Sequence, residues 1–206
     1  MHAYIINTKY SVEILINLIF DEIHSLDTFK SELSAKESQF QHYQKEFEFK
    51  DFNDDFCDLQ VQDAFIKMAE SKKGVDILKS QIHVLSISIQ NKDFSIRALC
   101  GALLQIAKQG ISFVHGKYKH LAPNGHKTFG AETLKNVIWE GRNQTLHFEE
   151  GIFQQPIIDC FKNLEIAYGS DFLLSKPPKN KSLEIIRLLD WTTYKNYEKD
   201  MVSILG

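Results

Sequence analysis

Trp139-Glu140-Gly141-Arg142-Asn143-Gln144-Thr145-Leu146-His147-Phe148-Glu149-Glu150 closes a segment in which Leu134, Val137 and Ile138 recur at helical spacing. The spacing predicts a helix over about 131–148, begun after Thr128 or Gly130 and ended by Gly151. On such a helix Asn143 and His147 are i,i+4 neighbours on one face. Asn143 then either holds the imidazole in one orientation or contacts the same ligand. Arg142 lies one residue off that face. Arg142 and His147 converge on one anion only if the arginine bends over the helix, the helix distorts, or a second copy supplies the partner.

The flanks read as helices too. Upstream, Ile96, Leu99, Leu103, Ile106 and Phe113 predict a core-facing stripe on a helix capped by Asp93 or Ser95 and running to about His115. Ala98, Cys100, Gly101 and Ala102 are small, so another helix can approach closely. The turn Asn91-Lys92-Asp93 separates it from a helix marked by Val75, Leu78, Ile82, Leu85 and Ile89. Ser71-Lys72-Lys73-Gly74 ends a short helix carrying Val61, Ala64, Phe65 and Met68, since cations and Gly suit a helix C-terminus. Downstream, Pro156 suits the first turn of a helix to about Tyr168, with Ile157, Ile158, Phe161 and Leu164 buried. Lys176–Asn180 is a linker, followed by a short helix over 182–190 and a tail around Trp191.

From Val12 to Phe47 apolar residues again recur at helical spacing, which predicts one or two long helices between about 9 and 49, with a break near Ser34 possible. Asp51-Phe52-Asn53-Asp54-Asp55 is an acidic turn. It lacks the glycine and distal Glu of a calcium loop. No internal repeat, low-complexity tract or glycine-rich phosphate loop is visible.

With 206 residues, 43% of them apolar, the chain is long enough to bury a sizeable core. Its net charge of −3 excludes a bulk binder of polyanions. The charge is uneven, however. Residues 11–70 hold fourteen Asp/Glu against five Lys, and residues 108–147 hold six Lys/Arg against two Glu, with His115, His120, His126 and His147. Such a basic region can focus potential on one cleft. Cys57, Cys100 and Cys160 are isolated, and no CxxC spacing supports a zinc ribbon. This fits a reducing cytosol. The apolar run Ile14–Phe20 is too short to span a bilayer, and the first residues show no signal-peptide pattern. A cytoplasmic protein without membrane contact is expected.

Arg142-Asn143-x-x-x-His147 resembles the Arg-polar-x-x-x-His signature of the HEPN superfamily, over roughly residues 75–170. The resemblance implies an all-α HEPN-type helical bundle, here with a long N-terminal helical extension. It divides the chain into an extension over 1–74, a bundle core over 75–170, and a linker with a helical tail over 171–206. It also implies a metal-independent endoribonuclease without cofactor, in which two copies meet so that both motifs line one composite cleft. Many members serve in toxin and antiviral systems, so RNA, a second copy and an antitoxin or other partner protein are the expected partners.

The residue types fit that chemistry. RNA carries its own nucleophile, the 2′-hydroxyl, and attack on the adjacent phosphate needs one proton removed and another delivered. A histidine serves as acid or base near neutral pH. An arginine matches a phosphate bidentately and suits the charge of the transition state. His147 is thus expected as acid or base, Arg142 as phosphate clamp and Asn143 as positioner. Glu140, Glu149 and Glu150 read as ion-pair or dipole neighbours. Glu149 or Glu150 could still hold Arg142 when the site is empty. Taken singly, a histidine near a helix end is usually a surface residue and an arginine usually solvated; their conjunction carries the reading. In the constellation His115…His120…His126, the side chains of His115, Lys117, Lys119 and His120 could steer or grip RNA phosphates, with Tyr118 or Phe129 stacking on a base. The alternatives are a plain solvated loop and a weakly supported zinc site of His115, His120 and His126. Trp139 reads as core or interface rather than as a stacking platform. The rival function is a non-catalytic HEPN-like module that binds nucleotide, RNA or a partner protein, and a further one is a structural adaptor acting through its N-terminal helix.

Overall fold

The protein is described from a computed structural model covering residues 1–51, 58–175 and 177–206, with the side chains of 39–40, 42–44, 46–51, 58–65, 67–76 and 78 left out of the description. Six α-helices and one two-stranded hairpin make up the described chain, an all-α fold. They are α1 (Ala3–Asp51), α2 (Asp58–His115), the hairpin β1 (Thr128–Phe129) and β2 (Glu132–Thr133), α3 (Leu134–His147), α4 (Gln155–Tyr168), α5 (Ser182–Leu189) and α6 (Tyr194–Leu205). No helix among the described residues is long and apolar enough to cross a membrane.

The two long helices correct the expected punctuation. No break interrupts α1 near Ser34, and α2 runs unbroken through Gly74 and through Asn91-Lys92-Asp93. A glycine inside a helix costs only about 1 kcal/mol relative to alanine, which packing over many turns outweighs. Cys57 and most of the acidic turn lie outside the described residues, as do the side chains of Val61, Ala64, Phe65 and Met68.

Packing gathers the chain into two units, Met1–Glu22 with Phe94–Gly206, and Ile23–Asp93. Both chain ends supply core to the first unit. Ile5, Val12, Ile16 and Ile19 of α1 are buried in the first unit, and so are Trp191, Tyr197, Met201 and Ile204 of the tail. In the second unit Lys36 Nζ donates to Gln81 Oε1 at 2.9 Å and the Lys92 ammonium lies 5.5 Å from the Phe29 ring centre, which pairs α1 and α2 antiparallel.

In the first unit α3 is central and packs on α4, α5 and the hairpin. It starts later than expected, because 128–133 forms the hairpin and Thr133 Oγ1 accepts from Asn136 N at 3.3 Å as the helix cap. The loop after α2 is tied to this start by Lys135 Nζ, which donates to Ala122 O at 2.6 Å. Buried Gln144 uses both ends of its amide on the 179–181 linker, donating to Lys179 O at 2.7 Å and accepting from Lys181 N at 2.9 Å. Cys100 and Cys160 are buried, as their apolar stripes predict, and burial raises the Cys160 thiol well above its usual range, with Glu132 and Glu140 adding to the rise. Ile157, Phe161 and Leu164 are buried, whereas Ile158 and Phe113, expected in the core, are exposed. Phe113 instead lies over Tyr4 on the surface, ring centres 5.9 Å apart.

The small residues of α2 act as expected. A Cβ built on Gly101 would stand 2.7 Å from the Thr145 methyl, so only glycine permits this approach of α2 to α3. Thr145 has little room to turn, because its hydroxyl donates to Gly141 O at 2.9 Å. Gly101→Val is therefore expected to destabilise the fold by about 1–3 kcal/mol through overpacking. A chemical-denaturation midpoint equal to wild type would contradict this contact.

Candidate functional site

The Gly101–Thr145 contact sets the register of α3 against α2. Further along the same antiparallel seam, Arg142 Nε donates to Gln105 Oε1 at 2.5 Å and the Lys108 ammonium stands 4.4 Å from the centre of the Trp139 ring. Residues spaced by three on α3 (Trp139, Arg142, Thr145) thus meet residues spaced by three and four on α2 (Lys108, Gln105, Gly101). The half-buried Trp139 is covered by a cation instead of joining the core.

Arg142 is held by amides. Its Nη1 donates to Asn143 Oδ1 at 3.1 Å, and among the described residues no carboxylate pairs with it. Burial lowers its pKa from the ordinary arginine value. Burial, followed by the Arg142 charge itself, lowers that of Lys108. Two cations therefore stand within electrostatic reach on the α2–α3 seam, the arginine held by the neutral oxygens of Gln105 and Asn143. Arg97 offers the contrast: it forks onto Glu184 at 2.7 and 3.0 Å and is a structural cross-link.

Asn143 does not hold His147. Its amide donates to Glu140 Oε2 at 3.1 Å while its oxygen serves Arg142, so it couples the arginine to a buried carboxylate. The other oxygen of Glu140 takes Lys119 Nζ at 2.5 Å. Lys119 also donates to Asn136 Oδ1 at 2.5 Å, Asn136 donates to Glu132 Oε2, and Asn163 of α4 donates to Glu132 Oε1 at 2.7 Å. A continuous polar chain thus runs from α2 through Arg142 to α4. Such a chain fixes side-chain positions because every buried member is satisfied.

His147 ends α3 and points elsewhere. Its Nδ1 lies 2.7 Å from Glu150 Oε1 on the 3-10 turn Phe148–Glu150, which Gly151 closes in a left-handed conformation at φ 69°. A carboxylate only accepts, so Nδ1 carries the proton in this pair and Nε2 of the neutral ring is left as acceptor. The expectation that Glu149 or Glu150 holds Arg142 is corrected: Glu150 holds the histidine and Gln105 the arginine. Arg142 and His147 are separated by about 7.5 Å of helical rise, α3 stays helical between them, and the arginine bends towards α2.

The loop after α2 divides in two. His115 Nε2 lies 2.7 Å from Ile204 O and ties α2 to α6, and Lys119 turns inward to Glu140. Exposed Tyr118 stacks on His120 with ring centres 5.7 Å apart, and the Lys117 ammonium stands 5.0 Å from the Tyr118 ring. His126 lies 3.5 Å from Asp200. The three loop histidines therefore have three separate partners, and among the described residues no cluster of three His, Cys, Asp or Glu is placed to hold a metal.

Sequence reasoning missed Gln105 and Lys108, and it named Glu150 as an ion-pair neighbour without assigning it to His147. The polar Gln105-x-x-Lys108 pair beside the apolar stripe of α2 was the available signal. No family model, curated protein or solved structure matches the chain.

Proposed function

We propose that the protein is a metal-independent endoribonuclease of the HEPN type, acting on RNA as a homodimer in the cytoplasm. The observation that carries this reading is the guanidinium of Arg142, held by amide oxygens beside a second cation, on the same helix as a carboxylate-oriented histidine. Paired cations without a carboxylate partner favour an anion, and the planar guanidinium matches a phosphate. His147 Nε2 takes the proton of the 2′-hydroxyl, O2′ bonds to phosphorus, and the bond to the 5′-oxygen breaks as that oxygen receives a proton from the protonated His147 imidazole of the second copy. The products are a 2′,3′-cyclic phosphate and a 5′-hydroxyl. Arg142 and Lys108 offset the charge on the phosphorane. Tyr118, with Lys117 and His120, offers a flanking base a stacking surface.

Because Arg142 and His147 are held by different partners in one chain, the reaction is assigned to a composite of two copies, each giving its arginine to the other's histidine. Assignment as a toxin or phage-defence effector, restrained by an antitoxin, follows from family analogy alone.

The same separation favours a second reading, a non-catalytic module that binds nucleotide, RNA or a partner protein. Incubation of total RNA with the protein and EDTA distinguishes them. The nuclease reading expects cleavage with cyclic-phosphate ends, and no cleavage of an oligonucleotide whose 2′-hydroxyls are replaced by hydrogen. Intact RNA at stoichiometric protein selects the binding module, and cleavage of the deoxy substrate rules out 2′-hydroxyl attack.

A further inference from the structure

Glu140 is the carboxylate closest in sequence to Arg142, and it is buried, with 2% of its surface exposed. A buried carboxylate is costly unless a cation and donors satisfy it. Both of its oxygens are in use. Oε1 accepts from Lys119 Nζ at 2.5 Å, and Oε2 accepts from Asn143 Nδ2 at 3.1 Å. The same Asn143 accepts from Arg142 Nη1 through Oδ1 at 3.1 Å. A carboxylate only accepts and a guanidinium only donates, so this orientation of the amide serves both. One side-chain amide therefore separates Glu140 from the guanidinium, yet the two do not pair. The arginine turns to Gln105 Oε1, and the ion pair of Glu140 goes to Lys119. The Lys119 ammonium is held at a second point, donating to Asn136 Oδ1 at 2.5 Å, one turn before Glu140 on α3.

We propose that Lys119 is a positioning residue of the Arg142 site: by holding Glu140 it keeps that buried carboxylate from pairing with the guanidinium, and so leaves Arg142 open to a phosphate. The charges explain why a lysine is needed. Lys119 cancels Glu140, and Asn143 between them and the arginine is neutral. Arg142 and Lys108 then keep their charge for a ligand. Without Lys119, Glu140 is a buried charge lacking its cation, and the cation one amide away is Arg142. A carboxylate takes the same planar fork of donors that a phosphate takes, so the two compete. Lys119 thus serves the site without touching the substrate, in place of the direct grip on RNA that its sequence position suggests.

The proposal rests on the reading of Arg142 as a phosphate clamp, but its first test needs no ligand. The chain has three arginines, Arg97, Arg142 and Arg187. The Nε–Hε signal of Arg142 can therefore be followed by nitrogen-15 NMR of the full chain and identified by its loss in Arg142→Lys. In Lys119→Met the signal is expected to leave its wild-type position. In Lys119→Met/Glu140→Gln, where no carboxylate is left to compete, it is expected to return. Pyrophosphate, titrated by calorimetry, is expected to bind Lys119→Met about tenfold more weakly than wild type, the order by which a neighbouring opposite charge biases a charged group. It is expected to bind the double variant like wild type. A lysine that only supports the fold would show its loss in both variants. Lys119→Gln keeps a donor for Glu140 without the charge and repeats the test if Lys119→Met does not fold. An Arg142 signal unmoved in the folded single variant overturns the proposal, and so does a double variant that keeps the displaced signal. Wild type that does not bind pyrophosphate sinks the phosphate-clamp reading, while the ligand-free signal still decides whether Lys119 keeps Glu140 from Arg142.

Discussion

On the proposed nuclease reading, His147→Ala is expected to lower RNA cleavage by about 10²–10⁴-fold, the range lost when a positioned acid or base is removed, with the fold retained. The fold is spared because the imidazole is part-exposed at the end of α3 and bonds Glu150 on the following turn. Glu150→Gln has a smaller effect. It removes the acceptor-only group that fixes the proton on Nδ1 but leaves an oxygen within reach of the ring. The ordering His147→Ala below Glu150→Gln below wild type, read as initial rates on one substrate with matched circular dichroism, is the signature expected of a base and its orienting carboxylate. Equal rates for His147→Ala and wild type would remove His147 from the chemistry.

Trp191→Ala destabilises the protein by about 3–5 kcal/mol, the loss of burial plus the cavity left behind. Trp191 is fully buried, its ring meets Tyr197 edge-on at 4.8 Å, and its Nε1 donates to Asp200 Oδ2 at 3.0 Å. The variant therefore also strips one donor from a buried carboxylate, leaving Lys127 as its remaining hydrogen-bond donor at 3.1 Å. Removing one of the donors to a buried carboxylate adds to the cost. Urea denaturation followed by circular dichroism gives the free energy directly. Trp139→Ala is the control: its half-buried ring lies under Lys108, and its loss costs less.

Local chemistry made some elements legible. Pro156 in the first turn of α4 and Gly151 after the 3-10 turn mark their boundaries by backbone constraint alone, and α3 follows from Leu134, Val137 and Ile138. Asn91-Lys92-Asp93 misled for the converse reason, since turn-forming residues cost little within a helix held along its length. α6 escaped because its apolar positions, Tyr197, Met201, Ile204 and Leu205, surround the charged Asp200, and because Asp190 before it adopts the left-handed conformation at φ 57° that usually announces glycine. At the site, Arg142, Asn143 and His147 are adjacent in sequence and could be found together. Gln105, Lys108 and Lys119 could not, because the register of α3 on α2 and the fold of the loop bring them there. The role expected of Asn143 failed for the same reason: its i,i+4 relation to His147 is real, but Glu140 and Arg142 are better placed to bond it.

On the proposed reading, the amide-held cation pair on the α2–α3 seam makes ionic strength act in opposite senses on folding and on recognition. Without a ligand, Arg142 and Lys108 repel, and dissolved salt screens that repulsion in favour of the folded state. With a polyphosphate chain bound, the same ions compete for the cations and weaken the complex. Salt that relieves the free pair would therefore loosen the proposed complex.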